Sequence, residues 1–155
     1  MACESLFSPA DFEVQNLTAT VFEGTTAPPP GTPTSGIIRT SQEWGVLVEW
    51  DTAGNLVSYV QGDWELNVWA ESIGPGQEVR LPVPGPTVVP LHPGASPQHY
   101  RVELNFAPGA ISPPVPPGSN TALYEIATSL TASFVLKPAP LACNTQDTRI
   151  QFYVM

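Results

Sequence analysis

The sequence predicts an all-β protein, an antiparallel β-sandwich of about seven to nine strands with proline-rich connecting loops. Two observations predict it. Apolar and polar side chains alternate along several segments, which places the apolar ones on one face of a strand. The 19 prolines of the 155-residue chain are concentrated between those segments, where they do not interrupt a hydrogen-bond ladder. Burial on one face favours antiparallel sheets, and two such sheets can cover each other's apolar faces.

The alternation is clearest in residues 44–50, 64–70 and 100–106, and it continues through 122–136 and 149–154. Apart from Thr128 in the fourth segment, each of these segments carries apolar side chains at every second position, which is the period of a half-buried strand. The residues that we expect to face the core in the first three segments are Trp44, Val46, Val48, Trp50, Trp64, Leu66, Val68, Ala70, Tyr100, Val102, Leu104 and Phe106.

Other segments are less regular. In residues 12–22 the apolar phase slips between Val14 and Leu17, which predicts a β-bulge near Gln15–Asn16. Residues 122–136 form either one long strand or two pieces bent near the middle. Weaker strands are predicted at 37–40, 56–60 and 77–83.

Four proline clusters divide the chain into these pieces. Proline has no backbone N–H to donate, so we interpret the clusters as connections or as blunted sheet edges. They lie at residues 27–34, at 82–97, at 108–118, and at Pro138 with Pro140.

None of the clusters is long enough to separate two domains. We therefore expect residues 1–155 to form a single domain, with residues 1–10 as an N-terminal tail. In strand number and length, the predicted domain resembles immunoglobulin-like and fibronectin-like sandwiches. The resemblance implies two packed antiparallel sheets.

The net charge of −9, from 14 acidic residues and five lysines and arginines, excludes an extended basic patch. Nucleic acid and anionic membrane surfaces are therefore not expected as partners. The first residues carry no basic region followed by an apolar run, so no signal peptide is predicted. We expect the protein in the cytoplasm, or in a particle that is assembled there.

The two cysteines, Cys3 and Cys143, lack the spacing of a metal site. A bridge between them would stabilise the fold by about 5 kcal/mol in the loop-entropy model. In the reducing cytoplasm two free thiols are favoured instead. The histidines, His92 and His99, match no standard ligand spacing, and no catalytic sequence motif is present. We expect no metal, no cofactor and no enzymatic activity.

Two aromatic residues stand on the polar phase of their strands. Trp69 lies between Asn67 and Glu71, and Tyr153 alternates with apolar residues near the C-terminus. An aromatic side chain on a polar sheet face is a common binding anchor. A proline-rich loop of the same chain could equally cover it. The carboxylate of Glu103 is interpreted as part of a solvated outer face.

These observations favour a non-enzymatic structural or adaptor sandwich that associates with itself or with another protein. The alternative is a carbohydrate-binding module, in which exposed aromatic rings stack on sugars and polar side chains bind the hydroxyl groups. The residues predicted to act in such a site are Trp69, Asn67, Glu71 and Tyr153.

Overall fold

The computed structural model describes residues 2–5, 7–30, 32, 34, 36–74, 78–81, 88–111, 120–134 and 137–154. These residues contain ten strands and no helix. The strands are β1 (Ala2–Ser5), β2 (Glu13–Glu23), β3 (Ile37–Arg39), β4 (Trp44–Ala53), β5 (Gly62–Ser72), β6 (Val79–Arg80), β7 (Val88–Leu91), β8 (Gln98–Phe106), β9 (Thr121–Phe134) and β10 (Lys137–Tyr153).

The strands form two sheets. The larger has seven strands in the order β1-β10-β9-β5-β6, with β3 also pairing with β10 and β7 with β5. The smaller has the order β2-β4-β8. The pairing of β3 with β10 is parallel, whereas the other strand pairs are antiparallel. The protein is therefore all-β with two sheets, an arrangement consistent with a β-sandwich.

The core lies where the alternation predicts it. Trp44 and Trp50 of β4 and Trp64 of β5 are almost wholly buried. Trp50 stacks on Tyr100, with ring centroids 5.1 Å apart and planes 4° from parallel. Trp64 meets Trp50 edge-on at 6.0 Å, so aromatic packing joins the two sheets.

The predicted β-bulge is confirmed. The register of β2 against β4 shifts between Gln15 and Thr18, and Asn16 has a φ of 54°. Asparagine tolerates this left-handed conformation better than most residues. The extra residue in the bulge shifts the alternation by one position, so that odd-numbered side chains point into the core after it. Leu17 and Val21 are accordingly buried.

The predicted strand at 56–60 is wrong, because this segment is a turn. The amides of Tyr59 and Val60 both donate to the carbonyl of Leu56, at 2.9 and 3.0 Å. The segment carries the chain from β4 in the smaller sheet to β5 in the larger, and it also bonds to distant loops, because Leu56 N donates to Asp11 O and Gly94 N donates to Val57 O. Val57 alone in the segment is fully buried.

The proline clusters are less disruptive than expected. Val88–Leu91, inside the predicted break at 82–97, forms β7, whose Pro90 is tolerated at the edge of the larger sheet. Pro138 lies within β10, next to a register shift between Pro138 and Ala142 that interrupts the ladder. Strand β6 lies within the predicted segment 77–83. Residues 77, 82–87, 112–119 and 136 lie outside the described residues.

The expectation of free thiols is wrong, because Cys3 and Cys143 form a disulfide. Residues 2–5, within the segment expected as a tail, form β1 and pair with β10. The register places Cys3 directly opposite Cys143. The positions of the two cysteines in the sequence do not predict the bridge, because it depends on the pairing of β1 with β10 at opposite ends of the chain.

None of the described residues belongs to a helix with the length and apolar composition needed to span a membrane.

Candidate functional site

The four predicted site residues all lie on the outer face of the larger sheet. In β5, Trp64, Leu66, Val68 and Ala70 are buried, so the intervening side chains point away from the core. Asn67, Trp69 and Glu71 follow one another on this outer side. Tyr153 faces the same way. It lies opposite Thr121 of β9, which is exposed, and residues directly opposite each other in a sheet point to the same face.

Trp69 is 39% exposed and lies beneath the guanidinium group of Arg80. The Arg80 Cζ atom is 5.7 Å from the ring centroid, because β6 pairs Arg80 directly with Trp69. The contact is a cation–π interaction at an exposed site. Trp69 is therefore partly covered by a residue of its own chain. Among the described residues this cover is an arginine, whereas the sequence suggested a proline-rich loop.

Asn67 is bonded to its neighbours. Its Oδ1 accepts a hydrogen bond from Arg80, and its Nδ2 donates to Glu65 Oε1 at 3.5 Å. Arg80 therefore contacts two of the predicted site residues at once and fixes them to β6. Glu71 lies beside Glu125 of β9, which is in turn beside Arg149 of β10.

Tyr153 stands apart from the other three. Its hydroxyl accepts a hydrogen bond from Arg39 Nε at 3.3 Å, and the Arg39 guanidinium lies 5.7 Å from its ring centroid. Along β9, Tyr153 aligns with Thr121 and Trp69 with Ala127. Six residues of strand separate the two positions by about 20 Å. The structure therefore does not bring the two aromatic rings into one platform.

The same face carries an apolar row that sequence reasoning missed, formed by Ile37, Leu123 and Ile73. Ile37 and Leu123 flank Gln151 in register, and the amide of Ile73 donates to the carbonyl of Leu123 at 2.9 Å. Their exposed fractions are 54%, 40% and 42%. The row crosses four neighbouring strands, a width of about 14 Å. Leu123, an apolar residue on the polar phase of β9, is the one signal of it in the sequence.

The outer face of the smaller sheet carries charged side chains on β4 and β8. His99 Nδ1 lies 2.8 Å from Asp51 Oδ1, and His99 Nε2 lies 3.6 Å from Glu49 Oε1. Arg101 bonds to Glu49 and to Glu103, each at 3.1 Å. Each histidine nitrogen thus faces a carboxylate, and the pairs form a network across the two strands.

Asp51 is bonded to two side chains of this region, Asn16 and His99. The Asn16 amide donates to its Oδ2 at 2.8 Å. This hydrogen bond, and after it the one with His99, holds the pKa of Asp51 below its ordinary value. The Glu103 carboxylate, with Glu49, raises the pKa of Arg101 in the same way.

A small second core lies on the outer face of the smaller sheet. Phe22, Leu47 and Ala27 are buried there. The Phe22 ring lies over Gly45, where a side chain would collide with it. The amide of Ala27 donates to Glu103 Oε2 at 3.4 Å. The start of the first proline cluster therefore covers this face and not the face that carries Trp69.

A cavity of about 290 Å³ opens beside the disulfide. Apolar side chains line most of it, and Glu13 supplies a carboxylate that accepts a hydrogen bond from Gln15. No second acid or base lines this cavity among the described residues. Nor do those residues contain a group of three or more His, Cys, Asp or Glu side chains that could hold a metal ion. The lining residues are Cys3, Ser5, Phe7, Pro9, Phe12, Glu13, Val14 and Leu141.

The fold and its surfaces define an all-β protein of two sheets, whose larger sheet presents a partly apolar outer face. No protein-family model matches this chain, and no curated protein matches it. Its function is therefore argued from its own geometry.

Proposed function

We propose that this chain is a non-enzymatic structural or adaptor protein, with an immunoglobulin-like sandwich, that assembles with a protein partner through the outer face of its larger sheet. The apolar row of Ile37, Leu123 and Ile73 carries this proposal. Exposed apolar side chains clustered on a sheet face are typical of protein interaction sites, and here Gln151 is the one polar side chain within the row. Burying the exposed part of each would contribute about 1 kcal/mol.

The surroundings of the row support a protein partner. Gln151 lies within the row, and Thr121 lies two positions from Leu123 on the same face of β9. Such uncharged side chains cost little to desolvate compared with ions. Arg39 and Arg149 lie on either side of the row and could form a polar rim. This arrangement, an apolar centre with polar margins, is the usual anatomy of an interface.

The net charge of −9 argues against nucleic acid and anionic membranes as partners. Disulfides are typical of oxidising surroundings. Of the two locations predicted from the sequence, a particle that is assembled in the cytoplasm and later leaves it accommodates the Cys3–Cys143 bridge better.

The experiment compares partner binding by the wild-type chain with binding by Leu123→Lys, which places a charge at the centre of the apolar row. Thr18→Lys, with the same added charge on the smaller sheet, is the control. Each tagged protein is used for quantitative affinity capture from the native source, together with sedimentation analysis of the purified chain. We expect an associated protein or a self-oligomer that Leu123→Lys loses and Thr18→Lys keeps. Equal association by all three proteins, or none by the wild type, would refute the proposal.

A carbohydrate-binding module remains the second candidate, and the exposure of Trp69 beside Asn67 and Glu71 favours it. The other three tryptophans are almost wholly buried, so a change in tryptophan emission on adding sugar would report on Trp69. A saturable shift that Trp69→Phe abolishes would support sugar binding. No shift across a broad panel of oligosaccharides would exclude it.

A further inference from the structure

Strand β8 has an edge to which no described residue is paired. Its nine residues pair with β4 in unbroken register, from Trp44 opposite Phe106 to Thr52 opposite Gln98. Within the described part of the chain, β4 is the one strand that pairs with β8. A regular edge strand of this length offers a row of backbone N–H and C=O groups to another strand.

The other sheet edges of the described residues are protected. The larger sheet ends in strands of two to four residues, and one of these, β7, contains Pro90. Strand β2, at the far side of the smaller sheet, carries the bulge at Asn16 and contacts β10. There the Thr148 hydroxyl donates to the carbonyl of Ala19 at 2.6 Å. Short strands, proline, bulges and covering segments are usual means of preventing edge pairing. Strand β8 is long, regular and without proline, and the edge protection that it does carry is the charge of Arg101 and Glu103.

We propose that β8 pairs with β8 of a second copy of this chain, antiparallel and centred on Val102. The proposal rests on the proposed function as an assembly protein, but it uses a surface separate from the apolar row. In this register Val102 faces Val102, and Arg101 faces Glu103 of the second copy. The two smaller sheets then join into one continuous sheet of six strands.

Charge complementarity selects this register. Arg101 and Glu103 are both exposed on the outer face of β8, where they pair with each other and Arg101 also pairs with Glu49. Two-fold symmetry places each of them opposite the other in the second copy, so these pairs can extend across the edge. A pairing centred on residue 101 would place Arg101 opposite Arg101. A pairing centred on residue 103 would place Glu103 opposite Glu103. Opposite charges directly across two strands stabilise the pairing, and like charges weaken it.

One further feature fits the same register. Val102 is only half buried although its partner in β4, Val48, is fully buried, so pairing at the edge would cover it.

The test uses charge reversal at the edge. Arg101→Glu and Glu103→Arg each place like charges opposite one another in a homodimer, whereas an equimolar mixture restores two opposite pairs. By sedimentation velocity, we expect the wild type to dimerise at micromolar concentration and each single variant to dimerise at least about tenfold more weakly. We expect the mixture to recover dimers. Glu65→Arg, which makes the same charge change as Glu103→Arg but on the larger sheet, should leave the dimer unchanged.

Circular dichroism of each variant checks that the fold is retained. A wild-type chain that stays monomeric up to several hundred micromolar would overturn the proposal, as would a dimer that both edge variants retain. If Leu123→Lys alone abolished association, the edge pairing would be refuted while the proposed function stood. If the edge variants alone abolished it, the apolar row would be refuted as the interface.

Discussion

At the scale of single residues, contacts with Arg80 determine how accessible two of the predicted binding residues, Trp69 and Asn67, are. Its guanidinium lies over the ring of Trp69 and donates to the amide oxygen of Asn67. An aromatic anchor for sugar needs an accessible ring face, and here a cation lies over a ring that is still 39% exposed. The sequence placed Trp69 on the outer face but could not show that a residue eleven positions later would cover it.

Removing Arg80 should therefore uncover Trp69. We expect Arg80→Ala to shift the tryptophan emission of the folded protein to longer wavelength and to raise its quenching by acrylamide. Stability should change by no more than about 1 kcal/mol, since a cation–π contact at an exposed site contributes about that much. Trp69→Phe in the same background should remove the shift. An unchanged spectrum in Arg80→Ala would contradict the proposed contact.

Asp51 predicts a pH dependence of stability. Its pKa in the folded protein is lowered from 3.8 by hydrogen bonds from Asn16 and His99, so folding favours the charged carboxylate. The contribution is fully present above the pKa of the unfolded chain and is lost as the pH falls through the lower pKa of the folded state. We expect Asp51→Asn to reduce the free energy of unfolding at pH 7 by up to about 1 kcal/mol.

The same substitution should cost progressively less as the pH falls through the lowered pKa of the folded state, because the wild-type carboxylate is then protonated as well. Urea unfolding at pH 7 and at pH 2.5 measures the difference. Glu65→Gln on the larger sheet, whose carboxylate has one long contact to Asn67, is the control. A deficit that is the same at both pH values would contradict the role given to Asp51.

At the scale of elements, alternation assigned the faces of the long strands. Leu123 and Leu130 lie on the same strand, β9, yet one is 40% exposed and the other is fully buried. The odd-numbered spacing between them puts them on opposite faces. The pattern failed where the chain passes between sheets, at residues 56–60, because apolar residues also occur in a turn that packs against the core.

These two leucines give a matched pair of variants. We expect Leu130→Ala to lower the free energy of unfolding by about 2–5 kcal/mol, because it leaves a cavity in the core. We expect Leu123→Ala to change it by less than about 0.5 kcal/mol, as at an exposed site. Denaturant titration of both proteins measures the contrast. Similar losses in the two variants would mean that the face assignment of β9 is wrong.

Strand β1 is held to β10 by both its ladder and the disulfide. Because the bridge joins residues separated by 140 positions, the loop-entropy model predicts a loss of about 5 kcal/mol when it is removed, with measured values usually nearer 2–4 kcal/mol. We expect Cys3→Ser with Cys143→Ser to show this loss in denaturant unfolding. Adding a reductant should lower the stability of the wild type, and it should leave the double variant unchanged.

At the scale of the whole molecule, one continuous apolar core contains residues from both sheets. We therefore expect the two sheets to unfold together, as in a single cooperative domain. The tryptophans report on both sheets, since Trp44 and Trp50 lie in the smaller and Trp64 in the larger. Their emission and the far-ultraviolet circular dichroism should follow one transition in urea. Two separate transitions would show that the single-domain prediction is wrong.

The sequence by itself determined the all-β class, the buried faces of the long strands and the bulge at Asn16. Each follows from side chains a few positions apart, because the period of a strand is a local property. Tertiary structure decided which strands pair, the disulfide, the cover over Trp69 and the apolar row of Ile37, Leu123 and Ile73. These depend on register between segments that are up to 140 residues apart, and local alternation carries little information about such pairings.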